Sequence, residues 1–204
     1  MSARAPAIEA VLLDLGNVLV FHDDARLLAR IAALGAVSAE QAREALRPLW
    51  SRIHRGEIAG DALRAAVGGV AGRTLSSDAF LELWTSHFTV HEAVLPLVES
   101  LVGRVKLLLL SNTEAFHFEH LRPRLPILAR FDALIVSHEL GLAKPDPAIF
   151  REALRCAGTS PAATAYFDDL PLYVDAARAL GIDARVFSDA ARFRADLEDL
   201  RLLA

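Results

Sequence analysis

Five short, largely apolar runs punctuate the chain, and most stop abruptly at polar residues. Val11-Leu12-Leu13 ends at Asp14, Val105–Leu110 at Ser111-Asn112-Thr113, and Thr164–Phe167 at Asp168-Asp169; Ala133–Ser137 and Ala184–Phe187 complete the set. Runs of this length without alternation are the pattern of strands buried on both faces. Between them the apolar spacing is helical. Leu27, Leu28, Ile31 and Leu34 recur on one face and stop at Gly35. Ser38-Ala39-Glu40-Gln41 is a capping-box sequence, and it opens a helix predicted to carry Ala42 through Ile53 and to end at Gly56. Further helices are predicted near Asp61–Val70, Ser77–Phe88 and His91–Val102, with Pro96 a kink or late start in the last.

From Asp14 to Lys106 is far more chain than one crossover helix needs. Beyond Lys106 strand and helix alternate regularly: a helix from Thr113 to Leu121, another at Asp146–Ala157 with Asp146 as cap, Pro147 in the first turn and Gly158 past the end, one running to Leu180-Gly181, and a last one from Asp189. The expected fold is therefore α/β: a doubly wound, Rossmann-like parallel sheet of about five strands. Residues 1–19 and 91–204 form its core, and residues 20–90 are an inserted small helical cap lying over the carboxyl end of the sheet.

Composition narrows the function classes. Hydrophobic residues make up 53% and charged residues 24% of the 204 positions, an ordinary globular balance. The net charge of −4, with both signs interspersed, gives no nucleic-acid surface. The longest stretch free of Asp, Glu, Lys and Arg, Cys156–Phe167, is too short to span a bilayer, and Glu9, Asp14 and Asn17 interrupt the first apolar region as a secretory signal would not. Cys156 stands alone, excludes an internal disulfide, and lies in an apolar helical stretch that reads as a buried structural thiol. A cytoplasmic location follows as the expectation. Among 22 basic residues only Lys106 and Lys144 are lysine.

Folded as expected, the strand ends meet on one edge of the sheet, where open α/β sheets bind ligands. They bring together Asp14, Ser111, Asn112, Lys144 and Asp168-Asp169. An aspartate leaving a strand is by itself well explained as a turn residue, and Ser-Asn-Thr as a helix cap. Lys144 is harder to explain blandly, because the prolines of Lys144-Pro145-Asp146-Pro147 hold its loop and a compact ammonium suits a phosphate. Two adjacent carboxylates after a buried strand repel and call for a cation. The whole set fits phosphoryl transfer through an aspartyl-phosphate with a hard divalent cation.

These stretches, in order, resemble the four motifs of the haloacid dehalogenase-like (HAD) hydrolase superfamily: LLDLGNVLV, LLSNT, the Lys of GLAKPDPAIF, and YFDDLPLYVDAARALG. The resemblance covers residues 8–20 and 105–188 and is strongest to the capped branch of bacterial sugar-phosphate phosphatases, glucose-1-phosphate phosphatase among them. It implies Asp14 as catalytic nucleophile, Ser111, Asn112 and Lys144 on the phosphoryl oxygens, and Mg²⁺ held by Asp14, the Gly16 carbonyl and Asp168, with Asp169 behind. It implies as substrate a small-molecule phosphate ester.

Two positions depart from the superfamily pattern. Gly16 stands where a second aspartate usually serves as acid and base, and Leu172 and Tyr173 stand where a further acidic residue is common. Two alternatives follow: a 2-haloacid dehalogenase, against which Asp168-Asp169 argues, or a catalytically silent binding protein of the same fold. Trp50, His54, Arg55, Trp84 and His87 are candidates to face the substrate, though the tryptophans read more readily as core. His117, His120 and His138 are expected at the surface. Asp23, His22 and His54 are the candidates to protonate the leaving group.

Overall fold

A computed structural model describes residues 7–35 and 37–203. Residues 1–6, Ala36 and Ala204, which belong to the expected core and cap ranges, lie outside the described residues. In chain order the elements are β1 (Ala10–Leu13), β2 (Val20–His22), α1 (Asp24–Ala32), α2 (Ala39–Leu46), α3 (Trp50–His54), α4 (Gly60–Val70), α5 (Ser77–Trp84), β3 (Phe88–Val90) and α6 (Leu95–Glu99). There follow β4 (Lys106–Ser111), α7 (Ala115–Leu121), β5 (Ala133–Val136), α8 (Ser137–Leu140), α9 (Pro147–Ala157), β6 (Thr164–Asp168), α10 (Pro171–Arg178), β7 (Asp183–Val186) and α11 (Ala190–Asp199).

The main sheet has the order β5-β4-β1-β6-β7 with every pairing parallel. Leu13 is level with Leu109 on one side and Phe167 on the other, so Asp14, one step further, leaves the sheet between β4 and β6 beside Asp168. Alternation along the strands divides the core. Val11, Leu13, Leu107, Leu109 and Phe167 pack on one face with Phe118 and Phe193, while Leu12, Leu108, Leu110 and Tyr166 pack on the other with Ile149, Phe150 and Val174. Covering both faces is what lets these strands be apolar throughout.

Helices α1 to α5 enclose a third cluster, built on Leu27, Ile31, Leu46, Leu63, Phe80 and Trp84. The chain enters this segment through β2 and returns through β3, which pair antiparallel, Val20 with Val90 and His22 with Phe88. This ribbon is absent from the sequence pattern, because three-residue strands offer too few positions for a period to register. The expected Ala42–Ile53 helix is broken at Arg47-Pro48-Leu49, since Pro48 cannot donate to the preceding turn. Gly56 has φ +73, and a Cβ there would stand 2.6 Å from the His138 carbonyl oxygen. Backbone from the helical segment thus passes directly against backbone that follows β5. The Asp146, Pro147 and Gly158 signals of α9 are realised as read, and so is the capping box of α2. Cys156 is exposed, which corrects the expectation of a buried thiol: α9 buries Ile149, Phe150, Ala153 and Ala157, and Cys156 falls off that face.

Candidate active site

The floor of the site is the carboxyl edge of β1, β4 and β6. Asp14 is 7% exposed, Lys144 3% and Asp168 fully buried. The Lys144 ammonium donates to Asp168 Oδ2 at 2.6 Å and lies 2.8 Å from Asp14 Oδ1. Asp168 is closed by further donors: the Tyr166 hydroxyl on Oδ2 and the Leu170 N–H on Oδ1 at 2.8 Å. Tyr166 reaches it because it sits two residues back on the same side of β6. The Tyr173 ring covers the ammonium at 5.0 Å, and the ring of Tyr166 stands 5.8 Å away. Asn112 grips the Lys144 backbone at both ends: its Nδ2 donates to the carbonyl at 2.9 Å and its Oδ1 accepts the N–H at 2.8 Å. Its side chain thereby fixes the lysine, while Ser111 next to it lines the cavity.

Burial pushes the Asp14 carboxyl up to about 6; Lys144 pulls it back and Asp168 raises it again. Burial also opposes the Lys144 charge, but the two carboxylates outweigh it and hold the ammonium above its ordinary value. The floor is thus a cation shared by two anions, one of them facing a cavity of about 410 Å³.

Its donor set fits a divalent cation. One oxygen each of Asp14, Asp168 and Asp169 can lie within 4.8 Å of the others. Asp14 Oδ1, buried, lies 2.8 Å from the Lys144 ammonium, a single cation that is shared with Asp168. A hard cation satisfies such an oxygen. Asp14, Gly16 and Asp169 line the cavity, whereas Asp168 lies behind it with both oxygens occupied by protein donors. Both aspartates stay within reach of one cation with Asp14, Asp169 from the cavity side and Asp168 from the layer behind it. Asn17, in the left-handed region at φ 53, orients Asp169 by donating from Nδ2 to its Oδ2 at 2.8 Å.

Four histidines form the walls and roof: His22 from β2, His54 from α3, His87 before β3, and His117 from α7. Burial lowers His54 and His87 to about 4 and takes His117 down as well, so these three rings are neutral. His22 moves the other way, raised by its hydrogen bond to Asp24 (Nδ1 to Oδ1, 3.3 Å). Trp84 is wholly buried, and Trp50, half-buried, packs against the same cluster, stacks on Trp84 at 5.6 Å and lines the cavity. Arg55 lines an adjoining cavity that shares Trp50, His54 and Lys144. His117 is not at the surface as expected. It stacks on Trp84 at 5.2 Å and its Nε2 meets the Trp84 carbonyl at 3.0 Å.

Glu114 joins floor and roof. It caps α7 and accepts the Trp84 indole N–H at 3.0 Å. Asp23, a candidate to face the leaving group, instead caps α1 by accepting the Arg26 N–H at 2.9 Å. Tyr166, Asn17 and Glu114 are not among the site candidates read from the sequence, Tyr173 is read there only as a departure from the motif, and His117 only as a surface residue. Only Tyr166 carried a signal, being a polar tip two positions before Asp168 in an otherwise apolar strand.

Known proteins resemble the chain in sequence and in fold. The haloacid dehalogenase-like hydrolase family matches residues 8–181. A D-ribitol-5-phosphate phosphatase of Bacteroides thetaiotaomicron is 24% identical over 201 residues, covering 93% of this chain and 97% of that protein. A HAD family enzyme from the same organism, solved as a complex with magnesium and inorganic phosphate, superposes with a TM-score of 0.82 at 25% identity over 90% of this chain and 96% of that one. A HAD-like family hydrolase of Porphyromonas gingivalis has a TM-score of 0.84 at 22% identity, covering 98% of this chain and all of the other.

Proposed function

The chain belongs to the haloacid dehalogenase-like hydrolase family, and from that premise we propose that it is a Mg²⁺-dependent phosphatase of small phosphorylated metabolites, sugar- or polyol-phosphates, working through an aspartyl-phosphate at Asp14. The observation that carries this is the buried Asp14 carboxylate, paired with Lys144 and facing the cavity beside Asp169. The phosphatase similarity supports the reaction class. The acidic cluster disfavours a halide site, which gains nothing from additional carboxylates.

Asp14, the Gly16 carbonyl and the Asp168-Asp169 pair would hold the cation, with Asp168 also anchoring Lys144. Bound Mg²⁺ supplies positive charge against the phosphoryl dianion and the carboxylates around it. Asp14 attacks phosphorus, the ester P–O bond breaks, and its electron pair leaves on the alcohol oxygen. Ser111 and Lys144 bind the phosphoryl oxygens, and Asn112 keeps Lys144 in register. Water then attacks the aspartyl-phosphate and frees inorganic phosphate. The segment 20–90 acts as the cap that closes over the substrate, on a core of residues 1–19 and 91–204.

A panel of phosphate esters tests this with Mg²⁺ present, after EDTA, and after Mg²⁺ is restored. Turnover is expected to vanish with chelator and return with the metal, and an acid-stable phosphoryl group should be trapped on Asp14. Hydrolysis of 2-chloropropionate unaffected by EDTA would favour the dehalogenase, and no turnover of either class the silent binding protein.

A further inference from the structure

The cavity that adjoins the catalytic one has a volume of about 540 Å³ and shares Trp50, His54, Asn112, Lys144 and Tyr173 with it. A substrate seated with its phosphoryl group at Lys144 has this second space beside it. Most of the charges that line it are matched. Lys144 lies between Asp14 and Asp168, and Arg47 Nη2 is 2.8 Å from Glu44 Oε2. Asp146 caps α9, its Oδ1 accepting the Ala148 N–H at 2.8 Å. Arg55 is left over. Its Nη2 donates to the Ser51 hydroxyl one turn back, and it has no carboxylate partner among the described residues. Its acidic neighbour Glu57 turns instead to Arg52, at 3.4 Å. Within the helical segment Arg30, Arg43, Arg47, Arg52 and Arg64 each pair with a carboxylate. Arg26 and Arg73, which like Arg55 have none, line neither cavity. The turn that carries Arg55 is also held to the core. The His54 carbonyl accepts the buried Ser137 hydroxyl, and Gly56 lies so close to His138 that a Cβ would meet its carbonyl oxygen at 2.6 Å. The unmatched guanidinium is thereby fixed relative to the core that carries Lys144.

Resting on the phosphatase reading above, we propose that this second cavity is a subsite for a second anionic group of the substrate, and that Arg55 is the residue that selects it. A planar guanidinium presents paired N–H donors to a carboxylate or a phosphate, and the bond to Ser51 leaves further donors free. The substrate is then a sugar or polyol monophosphate whose far end is itself acidic, as in a sugar-acid phosphate or a sugar bisphosphate. Trp50 and Tyr173, which line both cavities, flank the carbon chain between the two anions. Lys144 holds the group that is cleaved, and Arg55 the group that stays on the product.

The test measures kcat/KM in Mg²⁺ on matched pairs of esters that differ only at the end away from the cleaved phosphate. The pairs are 3-phosphoglycerate with glycerol 3-phosphate, 6-phosphogluconate with glucitol 6-phosphate, and fructose 1,6-bisphosphate with fructose 6-phosphate. Wild type should favour the anionic member of at least one pair by about tenfold or more, the worth of a charge-assisted hydrogen bond. Arg55→Met should lower that ratio by about tenfold or more, and Arg55→Lys by less, since it keeps the charge without the fork. Arg55→Glu should invert the preference. A preference confined to the sugar-acid pairs identifies the second group as a carboxylate, and one confined to the bisphosphate pair as a phosphate. No preference in any pair by a wild type that hydrolyses 4-nitrophenyl phosphate overturns the proposal and leaves the phosphatase reading standing. So does a preference that survives Arg55→Met, or a loss in that variant shared equally by both members of the pair. A wild type that hydrolyses none of these esters overturns the phosphatase reading and the proposal with it.

Discussion

The floor and the roof of the cavity are both buried and both lined with ionisable side chains, yet they treat charge in opposite ways. On the floor the Lys144 ammonium stands within 3 Å of both the Asp14 and the Asp168 carboxylates. On the roof burial strips His54, His87 and His117 of charge and leaves neutral rings stacked on tryptophan and phenylalanine. Charge in a dry place is costly unless paired, so it is concentrated where a phosphoryl group has use for it. The roof offers shape and neutral hydrogen-bonding groups, which suit the organic part of a substrate.

The hardest break in this contrast is Asp14→Asn. Activity should fall by about 10⁴ or more, since both the nucleophile and a cation ligand are lost. Stability should not fall with it. An Asp14 carboxyl raised to about 6 marks an anion whose ionisation the fold disfavours, and the amide removes that charge. Thermal melts beside kcat/KM measurements check both halves. A variant retaining a hundredth of the activity would rule out covalent catalysis at Asp14.

Lys144 separates a charge on the floor from this particular charge. Lys144→Met leaves two buried carboxylates with no cation between them, and should lower stability by about 3–5 kcal/mol as well as activity. Lys144→Arg keeps the charge, but its planar fork must fit a site enclosed by Asp14, Asp168, Tyr166 and Tyr173 around a fully buried side chain. Its loss of activity should lie within about tenfold of that of the Met variant. Parallel kinetics and urea unfolding decide it, and a fully active Arg variant would make the floor a generic positive field.

This difference also governs what could be read from the chain. Floor residues stand at the ends of apolar strands, and parallel topology alone brings such ends to one edge, so Asp14, Ser111, Asn112, Lys144 and Asp168-Asp169 could be assembled without coordinates. Their finer roles could not. Which of two adjacent aspartates faces the cavity depends on the twist of the chain after β6, and Asn112 gripping the Lys144 backbone is a contact across 32 residues. The roof was less legible. His117 on α7 touches Trp84 on α5 only because the helical segment folds back on the sheet, and the β2–β3 ribbon that governs this return is too short to leave a pattern.

The smallest expected effect lies at the joint between the two regions. Glu114 belongs to the core, but its Oε1 accepts both the Trp84 indole N–H from α5 and the His117 N–H, while Oε2 accepts the Phe116 N–H at 2.8 Å. It is 2% exposed, and burial raises its carboxyl above the ordinary 4.5 although these hydrogen bonds hold it back. Glu114→Gln keeps one accepting oxygen and turns an amide N–H₂ toward the Phe116 N–H, so one hydrogen bond is lost, at about 1–2 kcal/mol. The pH dependence carries the sharper information. With a folded-state value above the unfolded one, ionised Glu114 weakens the fold at pH above its folded value. That cost is relieved as pH falls toward 4.5, and below 4.5 nothing further changes. The variant has no such group. The stability advantage of wild type over Glu114→Gln should therefore grow on acidification from about pH 7.5 to 4.5, with titrations elsewhere cancelling between the two proteins. Urea midpoints of both proteins at several pH values measure it. An advantage that stays constant or shrinks toward pH 4.5 would mean that Glu114 is hydrated and that the roof is not fastened to the floor through Trp84.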